Sequence, residues 1–244
     1  MNDRYVHLTP RLRCALSMLN GSGIVADIGC DHGRLTAALL QQHACEQVIA
    51  ADISEPSLEK AKQLLFHIGL NDRVSFRLGN GLDVLDRSEN VDAIALLGMG
   101  GTLMVELLSR DTEKIKDHTA LVLQPMRAQS DIREYLYRNA FRITHDRIIY
   151  ERGRYYQIFR AEKGDGIQLW PYGFPNDFFE VGYQSFADAD ENLSPYCELQ
   201  LSILNKQLKT AGGSPGESKL RMRIDAYRQI IEHLRNTYEH SDIL

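Results

Sequence analysis

Strand-like apolar runs that alternate with helical periods, and end in two adjacent strand-like runs, predict an α/β protein. Its core is an open, doubly wound, mostly parallel sheet with an antiparallel hairpin at one edge. Two further features place a ligand on that sheet. The first apolar run, Ile24-Val25-Ala26, feeds the turn Asp27-Ile28-Gly29-Cys30-Asp31-His32-Gly33, and the second, Val48-Ile49-Ala50-Ala51, ends in Asp52. A strand, a glycine-rich turn and a helix let backbone approach a ligand, and an acid closing the next strand can accept the hydroxyls of a ribose.

Each element has its own signal. Thr9-Pro10 reads as a cap with proline at the first helical position, Leu12, Ala15, Leu16 and Leu19 form the stripe, and Asn20-Gly21 stops the helix. The first strand is Ile24 to Asp27, and a helix over 34–42 follows the glycine turn. Ser54 caps the next helix, which Glu55-Pro56 open and Gly69 ends, with Leu58, Ala61, Leu65 and Ile68 facing inward. Val74 to Leu78 is a strand leading to Gly79-Asn80-Gly81-Leu82. The run Val91 to Leu97 has the look of a strand buried on both faces, and Gly98-Met99-Gly100-Gly101 turns it into a helix over Leu103 to Leu108. Ala120 to Leu123 gives a fifth strand closed by Gln124-Pro125, and Asp131 to Asn139 a fifth helix. Phe141 to Tyr150 and Tyr155 to Arg160 pair as a hairpin across Glu151-Arg152-Gly153-Arg154. Residues 164–195 carry Gly164, Gly166, Pro171, Gly173, Pro175 and Pro195 without a period and read as a linker or packed extended segment. Two helical stripes follow, Tyr196, Leu199, Leu201, Ile203, Leu204 and Leu208, then Leu220, Ile224, Tyr227, Ile231, Leu234 and Tyr238. Ala211 to Gly216 breaks them, so an antiparallel, coiled-coil-like helical hairpin is expected, or a seam through which two copies associate.

Bulk properties narrow the class. A chain of 244 residues, 43% apolar and 25% charged, has room for one α/β domain of about 150 residues and a small appendage. No apolar run approaches the roughly 20 residues of a membrane span, and the amino terminus lacks a signal pattern, so a cytoplasmic protein with no membrane partner is expected. Cys14, Cys30, Cys45 and Cys197 are scattered without a C-x-x-C pair, which argues against a metal site and a disulfide framework. The net charge of −5 hides an uneven distribution: +4 over 127–160, −7 over 161–200 and +3 over 205–240.

In sheets of this Rossmann-like kind the ligand lies beyond the carboxyl ends of the strands, here 27–33, 52–54, 79–82, 97–101 and 124–127. Glycine spacing selects the cofactor. A dinucleotide turn reads G-x-G-x-x-G, whereas this one reads D-x-G-x-x-x-G and puts Asp31 where a phosphate would meet a carboxylate. S-adenosylmethionine fits better, since it has a ribose and adenine, no phosphate, and a sulfonium cation that tolerates carboxylates.

Together, Leu8 to Leu12 with its Arg11-Leu12 step, Ala26 to Gly33, Gly79 to Leu82, Leu97 to Gly101 and Leu123-Gln124-Pro125 resemble the bacterial family of class I tRNA methyltransferases that modify nitrogen-1 of adenine-22 in the D-arm. The likeness runs from about residue 8 to 162, and departs from the family's usual aromatic-then-proline step at Arg34 and Thr36. The resemblance implies a methyltransferase domain over 1–162, an irregular segment over 163–194 and a helical hairpin over 195–244 that grips tRNA or mediates association, as monomer or homodimer. It implies that Gly29 and Gly33 let backbone approach the cofactor, that Asp27 and Asp31 line the sulfonium side, that Asp52 binds the ribose hydroxyls and that Asn80 meets the adenine. Cys30, Ile53, Gly81 and Leu97 complete the cofactor set. Arg11, Arg13, Arg34 and Arg127 stand near the expected mouth as phosphate contacts for tRNA.

Many methyltransferases that act on exocyclic amines carry an (Asn/Asp)-Pro-Pro-aromatic step after the fourth strand; Gly98-Met99-Gly100-Gly101 stands there instead. That favours a ring nitrogen, which already presents its lone pair and requires no general base. Gly98, Met99 and Gln124 are the groups expected to orient the base. The competing readings are a small-molecule methyltransferase and a non-catalytic cofactor-binding module.

Overall fold

The computed structural model describes residues 5–164, 178–210, 213 and 216–241, apart from the side chains of 237–241. Its elements are α1 (Pro10–Leu19), β1 (Ser22–Ile28), α2 (Arg34–Gln41), β2 (Cys45–Asp52), α3 (Glu55–His67), β3 (Val74–Leu78), β4 (Ala93–Met99), α4 (Gly101–Arg110), β5 (Ala120–Pro125), α5 (Gln129–Arg138), β6 (Phe141–Glu151), β7 (Arg154–Lys163), α6 (Tyr183–Ala187), α7 (Leu193–Thr210) and α8 (Glu217–Ser241). One seven-stranded sheet has the order β3-β2-β1-β4-β5-β7-β6. The first five strands are parallel, and β7 joins β5 antiparallel with Leu123 opposite Phe159. This is the doubly wound sheet and edge hairpin expected from the sequence.

Strand alternation sorts the core into two layers. Val25, Val48, Ala50, Ala93, Ala95, Ala120 and Val122 face α1, α2 and α3, while Ile28, Ile49, Ile94, Leu96, Leu121 and Leu123 face α4 and α5. The layer that receives three helices is the one built from Ala and Val, which lets helix and sheet approach closely.

Several boundaries moved. The hairpin strands run further than expected, and only Arg152-Gly153 separates them. Both have positive φ, +50° and +79°, so the chain reverses in two residues and extends the ladder. The fourth strand begins at Ala93 rather than Val91 and runs on to Met99 through a bulge at Gly98. Within the segment expected to be irregular, Tyr183–Ala187 form α6, and Pro195 lies in the first turn of α7, where the missing N–H costs nothing. Gly166, Pro171, Gly173 and Pro175 of that segment, Ala211, Gly212, Ser214 and Pro215 of the breaker, and the Tyr238 side chain lie outside the described residues.

Helices α7 and α8 form the expected hairpin; Arg235 near the end of α8 reaches Glu198 near the start of α7, so they run antiparallel. Ile224, Tyr227, Ile231 and Leu234 are buried in a third cluster with Leu204 of α7, Phe178, Val181 and Ile148 of β6. The stretch of the α8 seam from Ile224 to Leu234 is thus spent inside its own chain.

A buried polar chain joins this helical pair to the sheet. Arg133 of α5 donates to Asp146 of β6 at 2.7 Å and to Gln157 of β7 at 2.5 Å, and Gln157 donates to the Tyr196 hydroxyl of α7 at 2.8 Å and to the Glu180 carbonyl at 3.0 Å. Removing one member of such a pair strands a buried charge. Arg133→Met is therefore expected to lower the unfolding free energy in urea by about 3–5 kcal/mol, and the added change Asp146→Leu to recover most of it. A loss under about 1 kcal/mol for the single variant would show that the pair does not hold this junction.

Candidate active site

The turn after β1 is shaped by three left-handed residues, Gly29 (φ +77°), Asp31 (φ +50°) and Gly33 (φ +70°). The Gly29 and Cys30 amides both donate to the Ala51 carbonyl, at 2.8 and 2.9 Å, which folds the turn over the end of β2. At Gly33 packing adds to conformation, since a Cβ would stand 2.9 Å from Ala61 Cβ and 3.1 Å from its Cα; at Gly29 it would meet only the flexible end of Met99, and the positive φ is what favours glycine. Gly33 is thus where α3 touches the turn, a role that motif spacing did not separate from ligand contact.

Acids surround the turn in two different ways. Asp27 is 3% exposed and lies beneath it, accepting from Thr36 Oγ1 at 2.7 Å. Burial lifts its carboxyl to about 6 against the Thr36 hydrogen bonds, and neighbouring Asp52 and Asp31 add to the rise. Thr36, which sequence reasoning noted only as a departure from a family pattern, is the partner that holds this carboxylate; a hydroxyl amid the apolar stripe of α2 was the available signal. Asp31 and Asp52 sit at the surface of the crevice. The Asp31 side chain is 73% exposed, while its amide donates to Asp52 Oδ2 at 3.0 Å, and the Ser54 amide donates to Asp52 Oδ1 at 2.8 Å. Those two amides orient the Asp52 carboxylate. Beside it Ile53 is 71% exposed, a bare aliphatic face at a strand end. Burial, with Asp27 and Asp52 close by, pushes the Cys30 thiol far above its ordinary value, so it stays protonated.

The next two strand ends complete the rim. The Gly79 amide donates to the Asp52 carbonyl at 3.0 Å, and Asn80 is exposed, its carbonyl accepting from Arg110 at 2.9 Å. Gly81 lets the chain pass Leu107, whose Cδ2 would be 2.4 Å from an added Cβ. Leu97 is half-buried, and Gly98 bulges out with φ +77° and open space where a side chain would be. Gly101 starts α4 against the Ala128 carbonyl, 2.0 Å from an added Cβ.

The fifth strand end differs from expectation. Gln124 is 3% exposed; its Oε1 accepts from Arg11 at 3.1 Å and its Nε2 donates to the Pro125 carbonyl at 3.2 Å. The Met99 carbonyl accepts from the Met126 amide at 2.8 Å. Gln124 and the Met99 carbonyl are therefore engaged within the chain, which leaves Gly98 as the expected base-orienting position with free surface. Arg11 is engaged as well. Its Nε and backbone amide both donate to the Glu151 carboxylate at 3.1 Å, and its guanidinium lies 4.2 Å from the Tyr156 ring centroid. Burial works against the Glu151 carboxylate, but the bonds from Arg11 hold it below the usual range. Arg11 thus fastens α1 to the ends of β5 and β6, a position set by Glu151 and Tyr156, which nothing in the sequence linked to it. Arg13, Arg34 and Arg127 are exposed and take part in no ion pair among the described residues.

A separate cleft of about 670 Å³ begins beside this rim at Ala128 and Gln129 and runs between α5 and the helical pair, past Glu134, Phe179, Gln200 and Met222. Among the described residues no cluster of three or more His, Cys, Asp or Glu side chains is placed to hold a metal ion, and no helix is long and apolar enough to cross a membrane.

Comparison with known proteins gives a consistent picture. A family model described as a methyltransferase domain matches residues 8–159. The chain is 34% identical to the tRNA (adenine(22)-N(1))-methyltransferase of Bacillus subtilis (strain 168) over 165 residues, 68% of each protein. The crystal structure of the B. subtilis M1A22 tRNA methyltransferase TrmK superposes with a TM-score of 0.83 at 27% identity, covering 93% of this chain and 99% of that one. M. capricolum TrmK, in complex with the natural cofactor product S-adenosyl-homocysteine, gives 0.80 at 24% identity over 92% and 98%, a likeness of fold.

The Asp27 environment has a measurable consequence. Its carboxyl keeps a proton to higher pH in the folded chain, about 6, than in the unfolded one, 3.8. Its favourable contribution is therefore present below pH 3.8 and is lost as pH rises through 6, a change of about 3 kcal/mol. Asp27→Asn, which still accepts from Thr36, should gain about that much relative to the parent between pH 4 and 7.5 in urea unfolding. A difference that stays flat with pH would contradict the buried, raised carboxyl.

Proposed function

The chain belongs to the bacterial tRNA (adenine(22)-N(1))-methyltransferase family, and from that premise we propose that it transfers a methyl group from S-adenosylmethionine to nitrogen-1 of adenine-22 in the D-arm of tRNA. The observation that carries the cofactor half is the Asp52 carboxylate, aimed by two backbone amides beside the bare face of Ile53. Such an acid suits ribose hydroxyls, the aliphatic face suits an adenine, and the negative field of Asp27, Asp31 and Asp52 suits a cation rather than a diphosphate. Asn80 and Leu97, at the next two strand ends, complete the cofactor site in this reading. Bound there, S-adenosylmethionine supplies a methyl group already activated by a positive sulfur.

The residues of this chain then have to place an acceptor and exclude water. Nitrogen-1 of adenine carries a free lone pair at neutral pH, so no side chain removes a proton before transfer. Holding the acceptor in line is the main contribution, and orientation of this kind lowers barriers by several kcal/mol. The bulge at Gly98 and the thin Gly98–Gly101 wall leave room for a flat base, while Arg11, through Gln124, fixes the facing end of β5. A stacked adenine has to leave the D-stem at a cost of a few kcal/mol. Under this proposal Arg13, Arg34 and Arg127 offset that cost through phosphate contacts. In this reading residues 1–162 perform the transfer in the cytoplasm, 163–194 connect, and 195–244 grip tRNA; burial of the α8 seam within its own chain favours gripping over association.

Primer extension across the D-arm tests the assignment. Unmodified tRNA with adenine at position 22, incubated with protein and cofactor, should acquire a stop there, and a guanine-22 transcript should not. A stop elsewhere, or label passing only to small metabolites, would replace this reading. For the cofactor site, Asp52→Ala should weaken S-adenosylmethionine binding by about 100-fold in calorimetry, since two charge-assisted hydrogen bonds to the ribose are lost, while the far-ultraviolet circular dichroism stays that of a folded chain. Retained affinity would remove Asp52 from the pocket.

A further inference from the structure

The basic segment 127–160 resolves into two groups once its partners are known. Arg133, Arg138, Arg147 and Arg160 are paired with Asp146, Glu134, Asp188 and Glu162. Arg127, Arg142, Arg152 and Arg154 have no ion pair among the described residues, and three of these four stand at the carboxyl end of the sheet. The helical pair shows the opposite: Arg221, Arg223, Arg228 and Arg235 are matched by Glu217, Glu180, Asp225 and Glu198. Free arginine charge is therefore concentrated away from α7 and α8, whose cations without an ion pair among the described residues are Lys206, Lys209 and Lys219, and it gathers at the tip of the β6–β7 hairpin and the adjoining rim.

We infer that this tip, Tyr150 with Arg152 and Arg154, is an RNA-contacting arm that docks the tRNA backbone next to the flipped nucleotide, an inference that rests on the tRNA reading above. Register places it. Leu123 lies opposite Phe159, so Pro125, the last residue of β5, is level with Gln157, and Gly153 stands roughly 13 Å further out. The arm thus overhangs the rim on the acceptor side of the crevice. It is also held from both faces. On one, Glu151 is clamped by Arg11; on the other, Tyr150 packs against Tyr155 with the rings 4.8 Å apart and tilted by 49°, and Tyr155 meets Tyr196 of α7 edge-on at 5.9 Å. Arg152 occupies the left-handed position of a two-residue turn, where Asn or Gly is the usual occupant, which puts a long cation at the apex in place of a neutral turn residue. Two unpaired guanidinium groups beside a tyrosine ring 55% exposed combine phosphate contact with a stacking surface, the chemistry single-stranded or distorted RNA requires.

The experiment measures tRNA and cofactor binding for the full chain over a range of salt concentrations. The double variant Arg152→Asn, Arg154→Gln should keep S-adenosylmethionine affinity, weaken tRNA binding about tenfold near 0.1 M salt, and make the slope of log K against log salt shallower by about 1.5. Tyr150→Ala should weaken tRNA binding with the slope retained, because stacking releases no counterions. Arg142→Gln, which removes one unpaired charge at the far end of the hairpin, should alter affinity less than about twofold. If the double variant matches the parent in affinity and slope, or if Arg142→Gln is equally damaging, the arm is not a docking element. That result would leave the tRNA assignment intact as long as the parent protein still methylates adenine-22 transcripts. Failure of the parent to bind or modify any tRNA would instead overturn the assignment and the arm together.

Discussion

Three strand ends are tied together at one residue. Asp52 receives the Asp31 amide and the Ser54 amide on its carboxylate and the Gly79 amide on its carbonyl, so the turn after β1, the start of α3 and the end of β3 share a single anchor. Nearly every feature of the cofactor side follows from this arrangement. The carboxylate cannot swing away, the exposed Ile53 follows at a fixed angle, and Asn80 emerges one residue beyond the anchored Gly79. A charge with ordered hydrogen-bond donors behind it and open space in front is preorganised for hydroxyl groups, which spares a ligand the cost of ordering it.

That geometry carries an electrostatic cost. Asp27, Asp31 and Asp52 crowd one turn, and the buried member is held near the edge of ionisation. A fold optimised for stability alone would place a neutral residue beneath the turn. The tension is the common one at binding sites, where groups that favour a ligand oppose the unliganded fold. Here a positive sulfur at the rim is the species that would relieve it.

Much of this was legible in the residues. The parallel sheet, its edge hairpin and the ring of strand-end loops followed from apolar runs with period two, from helix stripes and from turn residues, because those signals are local. Long-range polar partners escaped. Nothing near Arg11 in the chain announces Glu151 or Tyr156, 140 residues or more away, so the sequence alone leaves its charge looking available when it is bound. Gln124 stands at the strand end that its neighbours in sequence mark, and only the fold brings Arg11 to its side-chain oxygen. Thr36 and Gly33 show a subtler limit, since each has a packing or bonding reason that a motif template merges with ligand contact. The short helix over Tyr183–Ala187 was missed because one and a half turns carry too little periodicity to stand out from an acidic, aromatic stretch.

The polar chain from Arg133 through Gln157 to Tyr196 sets how the two halves of the molecule can act together. Greasy contacts slide with little penalty, whereas hydrogen bonds among buried groups tolerate only one alignment. The helical pair is accordingly indexed to the sheet like a gauge block, at a set distance from the rim. A partner that touches both the helices and the rim would therefore meet them at one fixed spacing.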